Sequence, residues 1–166
     1  VISPRIIMLS LPADKVDKVI NELTIFLEPE DIVADLGNSL YSKSIERNTM
    51  LNSHKINFLG IGVSGGPRGA KNGPAIMVGG SKNNFDKVRH ILEALSATVF
   101  YCGPTGTGHA VKALNNYVSA AGLIAACEAL IAAKKIGIDE TSFVEVLNSS
   151  TGKNNSTEKK LNQFIL

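Results

Sequence analysis

Apolar and polar positions along the chain divide it into two differently patterned parts. Ile6–Leu11 is an apolar run closed by Pro12, after which Val16, Val19, Ile20, Leu23 and Phe26 recur at helical spacing. This predicts a strand followed by an amphipathic helix over 14–26. Ile32–Asp35 predicts a second strand, Ser42–Ser53 a polar helix, Ile56–Leu59 and Ala75–Val78 further strands, Phe85–Leu95 a helix and Thr98–Tyr101 a last strand. Strands alternating with helices point to the α/β class and a doubly wound parallel sheet, here a partial one. Beyond Gly103-Pro104 the pattern changes. Residues 109–135 lack proline and carry apolar side chains on nearly every face, which predicts a long, mostly buried helix. Two shorter helices follow, near Asp139–Leu147 and Thr157–Leu166, with Ser149–Gly152 as the break between them. The division therefore falls near Pro104, with an α/β part over 1–104 and the beginning of an all-helical part over 105–166. Asn148, Asn154 and Asn155 open Asn-x-Ser/Thr patterns that read as helix-end chemistry.

Composition narrows the partners. The chain has 166 residues, 44% hydrophobic and 19% charged, enough for one domain or two small ones sharing a core. The 17 basic and 15 acidic residues are scattered and leave a net charge of +2, so there is no electrostatic footprint for nucleic acid or an anionic membrane. Small molecules and copies of itself are the expected partners. Cys102 and Cys127 form no CxxC and have no nearby histidine pair, which speaks against zinc and against a disulfide framework and fits buried thiols in a reducing cytoplasm. His54, His90 and His109 are isolated in sequence and read as surface or internally satisfied histidines, so no metal is expected. The first apolar run is too short to cross a membrane and carries no signal-cleavage pattern. A chain that starts, without Met, within a few residues of a core strand is expected to be a fragment of something longer.

Residues 58–80 read FLGIGVSGGPRGAKNGPAIMVGG, in which Gly60, Gly62 and Gly65 spell GxGxxG. That pattern marks a dinucleotide turn when it closes a strand, opens a helix and has an acid about 20 positions on. Gly65 is followed by GPRGAKNGPA, which predicts no helix, and Asp86 lies at the start of a helix rather than at a strand end. The match reads as a decoy.

Candidate chemistry lies elsewhere. Lys112, Asn115, Asn116 and Ser119 form a polar stripe on one face of the long apolar helix. Partial burial and the positive end of a helix both disfavour a charged lysine there, which suits a general acid/base near neutral pH. The stripe fits equally well a lysine that snorkels to solvent while the asparagines bridge helices. Asp35-Leu-Gly-Asn-Ser39 sits at the C-terminal end of a predicted strand, the edge where open parallel sheets bind ligands. Ser64-Gly65-Gly66 follows the next strand on that edge, with a hydroxyl and bare N–H groups suited to a carboxylate or carbonyl oxygen.

Taken in order, GNSLYSKSIER, FLGIGVSGGPRGAKNGPAIMVGG and GPTGTGHAVKALNN resemble successive signatures of the 3-hydroxyisobutyrate and 6-phosphogluconate dehydrogenase superfamily of NAD(P)-dependent β-hydroxyacid dehydrogenases. MLSLPADKVDKVI resembles the strand-helix unit whose loop passes the nicotinamide. The resemblance implies a Rossmann-like domain followed by a helical substrate and dimerisation domain, NAD or NADP as cofactor, a small hydroxyacid substrate and a homo-oligomer. It also implies roles: Lys112 as catalytic lysine, Asn116 as substrate holder with Asn115 beside it, and Ser64, Gly65 and Gly66 as substrate loop. Leu9, Ser10 and Leu11 would line the cofactor, with Asn38 near nicotinamide and substrate. The family's own GxGxxG lies in a first βαβ unit expected ahead of Val1, and further helices are expected after Leu166.

The resemblance also separates two branches. In the 6-phosphogluconate enzymes the catalytic helix carries glutamate and tyrosine where this chain has Ser119 and Ala120, and histidine where it has Asn115. Those positions imply a short β-hydroxyacid oxidised without decarboxylation. Decarboxylating 6-phosphogluconate dehydrogenase is the alternative, favoured by GNS and GIGVSGG. A non-catalytic remnant that binds an acid or oligomerises is a third reading.

Overall fold

The apolar runs of the first half assemble into one sheet. In the computed structural model, which describes residues 4–165, its strands are β1 (Ile6–Leu9), β2 (Ile32–Asp35), β3 (Asn57–Ser64), β4 (Ala75–Gly80) and β5 (Val99–Gly103), in the spatial order β1-β2-β3-β4-β5. The connecting helices are α1 (Ala13–Thr24), α2 (Tyr41–Ser53), α3 (Gly66–Asn72) and α4 (Lys82–Leu95). Side chains alternate across the sheet. Ile32, Ala34, Leu59 and Ile61 pack against Phe85, Val88 and Leu92 of α4, while Val33 and Phe58 face Val16 and Ile20 of α1 and Leu51 of α2. Each of these buried side chains larger than alanine contributes on the order of 1.5–3 kcal/mol.

Two expectations are corrected in this unit. The sheet is mostly parallel, but β3 and β4 run antiparallel, with Gly60 opposite Gly79 and Ser64 opposite Ala75. Residues 65–74 are too short for the dozen or more residues of a parallel crossover, so the chain can only turn back. And a helix, α3, does follow Gly65. Gly65 and Gly66 take φ of 141° and 58°, Pro67 occupies the first turn where its missing N–H costs nothing, and Gly73 (φ 93°) ends it.

The described residues fall into two compact units, one ending at Ala113 and the other starting at Leu114. This division lies inside α5 (Thr107–Lys135). The second unit contains the rest of α5, α6 (Glu140–Ser149), a π-helical turn (Ser156–Lys160) and α7 (Leu161–Phe164); Leu166, the end of the last expected helix, lies outside the described residues. Ala126, Leu130, Val144 and Leu161 form its core. Asp139 caps α6 by accepting from the Ser142 N–H at 2.9 Å, and Asn154 Oδ1 accepts from the Ser156 N–H at 2.8 Å, as the helix-end reading of Asn154 requires. The burial expected over 109–135 is not found: Leu114, Tyr117, Val118 and Ile124 are 60–71% exposed. Within the second unit the remaining helices cover one side of α5 only. By its length and an 18-residue stretch of mean hydropathy 1.5, α5 also meets the requirement for a membrane-crossing helix, a test that apolar core helices pass as well.

Candidate functional site

The first two glycines of GxGxxG lie inside β3, and their partners come from the start of α5. A Cβ on Gly62 would stand 2.5 Å from the Gly108 carbonyl oxygen and 2.6 Å from Lys112 Cβ; one on Gly60 would stand 3.0 Å from His109 Nδ1. Gly79 on β4 closes the same contact, since its Cβ would lie 2.5 Å from the Gly108 N–H nitrogen. These glycines let α5 begin directly on the backbone of β3 and β4. The decoy reading of GxGxxG therefore holds for a different reason from the one the sequence suggested: a helix does follow Gly65, but Gly60 and Gly62 make room for a helix and not for phosphate.

The strand's alternation then fixes a face. Gly60, Gly62 and Ser64 share one side of β3, the side that Lys112 and His109 occupy. The Lys112 stem rests on Gly62, and Ser64 is the next same-side position, roughly 7 Å further along. Lys112 is half-buried and makes no hydrogen bond or ion pair among the described residues, and burial holds its pKa below the ordinary lysine value. Ser64 is half-buried with no side-chain partner among the described residues, and Gly65 and Gly66 are exposed beyond it.

Across the sheet, Leu9, Asp35 and Gly60 stand in one row. Past that row the β1 and β2 loops meet, and a Cβ on Gly37 would lie 2.8 Å from the Leu11 carbonyl oxygen. Ser10 and Asn38 are exposed at this edge and Leu11 is half-buried, while Leu9 is buried beneath them. The first unit thus gathers Leu9, Ser10, Leu11, Asn38, Ser64, Gly65, Gly66 and Lys112 around the C-terminal ends of β1–β3. Asn115 and Asn116 belong to the second unit, where both are exposed and free of side-chain hydrogen bonds among the described residues.

The supporting residues were not legible as such in the sequence. Asp35, fully buried, accepts from the Gly37 N–H at 2.9 Å, from Ser39 Oγ at 2.6 Å and from Arg47 Nη1 at 2.8 Å. Arg47, only 4% exposed, also donates to Ser39 Oγ at 2.6 Å and to Asp17 at 2.5 Å. That bond from Arg47 holds the Asp17 carboxyl below its usual range. His109 is buried as well, which removes the surface alternative and meets the satisfied one at a single nitrogen: Nδ1 lies 2.6 Å from Ser44 Oγ, and Nε2 has no partner among the described residues. One sequence signal existed. Ser44, Arg47 and Leu51 fall on one side of an otherwise polar helix, the side that is buried. Among the described residues, the exposed and half-buried polar side chains that could bind make no side-chain hydrogen bonds, while Asp35, Ser39 and Arg47 beneath them are bonded into place.

Comparison with known proteins identifies the family. Residues 1–103 match the family described as the NAD binding domain of 6-phosphogluconate dehydrogenase, and residues 106–166 match the NAD-binding family of NADP-dependent 3-hydroxyisobutyrate dehydrogenase. The decarboxylating 6-phosphogluconate dehydrogenase of Buchnera aphidicola is 44% identical over 122 residues, which make up 69% of this chain and 26% of that protein. Among solved structures, Mycobacterium tuberculosis 3-hydroxyisobutyrate dehydrogenase with L-serine aligns at a TM-score of 0.86 and 28% identity, covering 93% of this chain and 53% of that one. Plasmodium falciparum 6-phosphogluconate dehydrogenase aligns at 0.78 and 31%, covering 90% of this chain and 34% of that one. The chain spans about a quarter of the length of the curated relatives it matches.

Proposed function

The chain belongs to the NAD(P)-binding family of 6-phosphogluconate and 3-hydroxyisobutyrate dehydrogenases, and on that premise we propose that the protein oxidises a short β-hydroxyacid, with Lys112 as general acid/base. The observation that carries this reading is the Lys112 side chain: half-buried, unpaired, its stem set on Gly62 on the Ser64 side of β3. The open edge at Ser10 and Asn38 fits the reactive end of NAD or NADP, because two exposed polar side chains without hydrogen-bond partners among the described residues suit a flat polar ring. The bound dinucleotide supplies the hydride acceptor. In oxidation, neutral Lys112 Nζ takes the hydroxyl proton as the carbon loses hydride, and in reduction the ammonium returns it. Ser64 and the N–H groups of Gly65 and Gly66 hold the carboxylate, Asn115 and Asn116 orient the substrate, and Ser10, Leu11 and Asn38 line the cofactor over the buried Leu9.

A second reading, decarboxylation of 6-phosphogluconate, is favoured by the 44% identity to the Buchnera enzyme. Against it, Ser119 stands where that branch has its glutamate, and the Ser119 hydroxyl already accepts from Lys160 Nζ at 2.7 Å. Assay of the complete protein with short hydroxyacids and with 6-phosphogluconate, using NAD and NADP and detecting carbon dioxide, decides between them. We expect hydroxyacid turnover without carbon dioxide; brisk decarboxylating turnover of 6-phosphogluconate selects the second reading, and no turnover with any of them leaves the remnant. The exposed apolar side chains of α5 favour a homo-oligomer, which sedimentation measures directly, and the free thiols Cys102 and Cys127 suit a reducing cytoplasm.

A further inference from the structure

We propose that His109 is a positioning residue, a neutral imidazole that ties the start of α5 to α2 beside the Asn38 loop and so fixes where Lys112 stands. The proposal rests on Lys112 being the proton carrier.

Four observations converge on this ring. His109 follows Gly108, the residue that seats α5 on β3, and precedes Lys112 by one helical turn, so the two side chains share a face. Gly60 leaves the space it fills, since a Cβ there would press on His109 Nδ1 at 3.0 Å and on Ser44 Oγ at 3.3 Å. The ring is 3% exposed, and the buried Ser44 hydroxyl lies 2.6 Å from Nδ1 but 3.4 Å from its other acceptor, the Leu40 carbonyl. The hydroxyl therefore donates to Nδ1, and the ring proton sits on Nε2. Nε2 is buried without a partner among the described residues, and besides Arg47 the groups acting on the ring are the Asp35 carboxylate and the backbone of Asp35 and Gly37. These are the residues that hold up Asn38.

The surrounding charges keep the ring neutral. Burial pushes its pKa down and the Arg47 guanidinium of α2 acts in the same sense, opposed by Asp35 of β2. β3 presents only Gly60, and the nearest cation on α5 itself is Lys112. A second proton would turn Nδ1 from acceptor to donor and force the Ser44 hydroxyl towards the longer contact with Leu40. The link between α2 and α5 would then loosen from the side that carries Lys112.

The test compares His109→Phe, His109→Gln and Ser44→Ala in the complete protein, with Lys112→Met as reference. Two readouts are followed: kcat and KM across pH, and the titration of the Lys112 side chain by carbon-13 NMR, which needs no turnover. Placement errors near 1 Å cost up to about 10²-fold. We therefore expect His109→Phe to lower kcat about tenfold or more with little change in the hydroxyacid KM and to shift the Lys112 titration; Gln, which can still bond Ser44, should restore most of both. Ser44→Ala should move both readouts in the same direction by less. A folded His109→Phe protein with unchanged kcat and Lys112 titration overturns the proposal. If the Phe variant does not fold, an unchanged Lys112 titration in Ser44→Ala overturns it instead. Full activity in Lys112→Met overturns the lysine reading, while the NMR arm still reports on whether His109 governs the position of Lys112.

Discussion

Replacing Gly62 by alanine tests what the glycine pattern is for. The added methyl would meet the Gly108 carbonyl oxygen at 2.5 Å and Lys112 Cβ at 2.6 Å, where ordinary contact begins at 3.4 Å. Something must therefore move by roughly 1 Å, since 3.4 minus 2.5 leaves 0.9 Å. The oxygen cannot rotate aside, because it belongs to helical backbone, and Gly108 is itself pressed against the backbone of Gly60, Met77 and Gly79. The start of α5 has to lift from β3 and carry Lys112 with it. Overpacking of this kind typically costs about 1–3 kcal/mol, and an Å-scale displacement of a reacting group costs up to about 10²-fold in kcat. Urea unfolding of the complete protein and steady-state kinetics would show both losses, with the dinucleotide KM changed least. The comparison variant is Gly69→Ala in α3, where the nearest heavy atom to the new Cβ is 3.5 Å away, and its stability should stay within about 0.5 kcal/mol of the parent. A glycine that cradled pyrophosphate predicts the opposite pattern: unchanged stability, unchanged kcat and a raised dinucleotide KM. That result for Gly62→Ala would refute the packing account.

Lys112→Met keeps the apolar stem and removes the proposed proton carrier, so turnover should fall about 10²–10⁴-fold with the fold intact; near-normal rates would return Lys112 to the snorkelling reading. Because burial lowers the Lys112 pKa, the oxidation rate should rise as pH climbs through a value below that of ordinary lysine, and this limb should vanish from the residual activity of the Met variant. Asp31 is buried and accepts from the Arg5 N–H at 2.7 Å, from Arg5 Nη2 at 2.6 Å and from the Glu28 N–H at 2.8 Å. Its burial favours the neutral acid, but these donors outweigh that and depress its pKa. The stabilisation is therefore present above the unfolded carboxyl value of about 3.9 and is lost as pH falls through the lower native one. Asp31→Asn should cost about 1.5–3 kcal/mol at neutral pH, and denaturation curves should show the gap to the parent closing in acid; a gap that persists at low pH contradicts the assignment.

Much of the frame was legible because a single local pattern specified it. The runs at Ile32–Asp35 and Phe58–Leu59 are buried on both faces and could only be central strands, and the spacing from Val16 to Leu23 could only be the helix that covers one of them. The direction of β4 was written in the length of residues 65–74, not in the strand itself. Burial of Arg47 and His109 was hidden, because a charged or titratable side chain goes inside only when partners from other elements meet it, here Asp35 from β2, Asp17 from α1 and Ser44 from α2. The exposed face of α5 was misread for a related reason: hydrophobic periodicity states that a surface wants cover and is silent about what supplies it.

The glycines carry this furthest. A glycine marks a place where something approaches the backbone closely, and phosphate and helix leave the same mark. What separates them is the conformation of the residues between. A phosphate turn needs its glycines where the chain is leaving the strand, whereas Gly60 and Gly62 are two apart within a strand that continues to Ser64, so both open the same face. Two such gaps on one face form a flat strip one helix wide, and Gly108, the glycine of the approaching helix, is its complement. Lys112 lies one turn beyond Gly108, so the packing that makes the motif a decoy for nucleotide is what brings the candidate proton carrier to the side of Ser64.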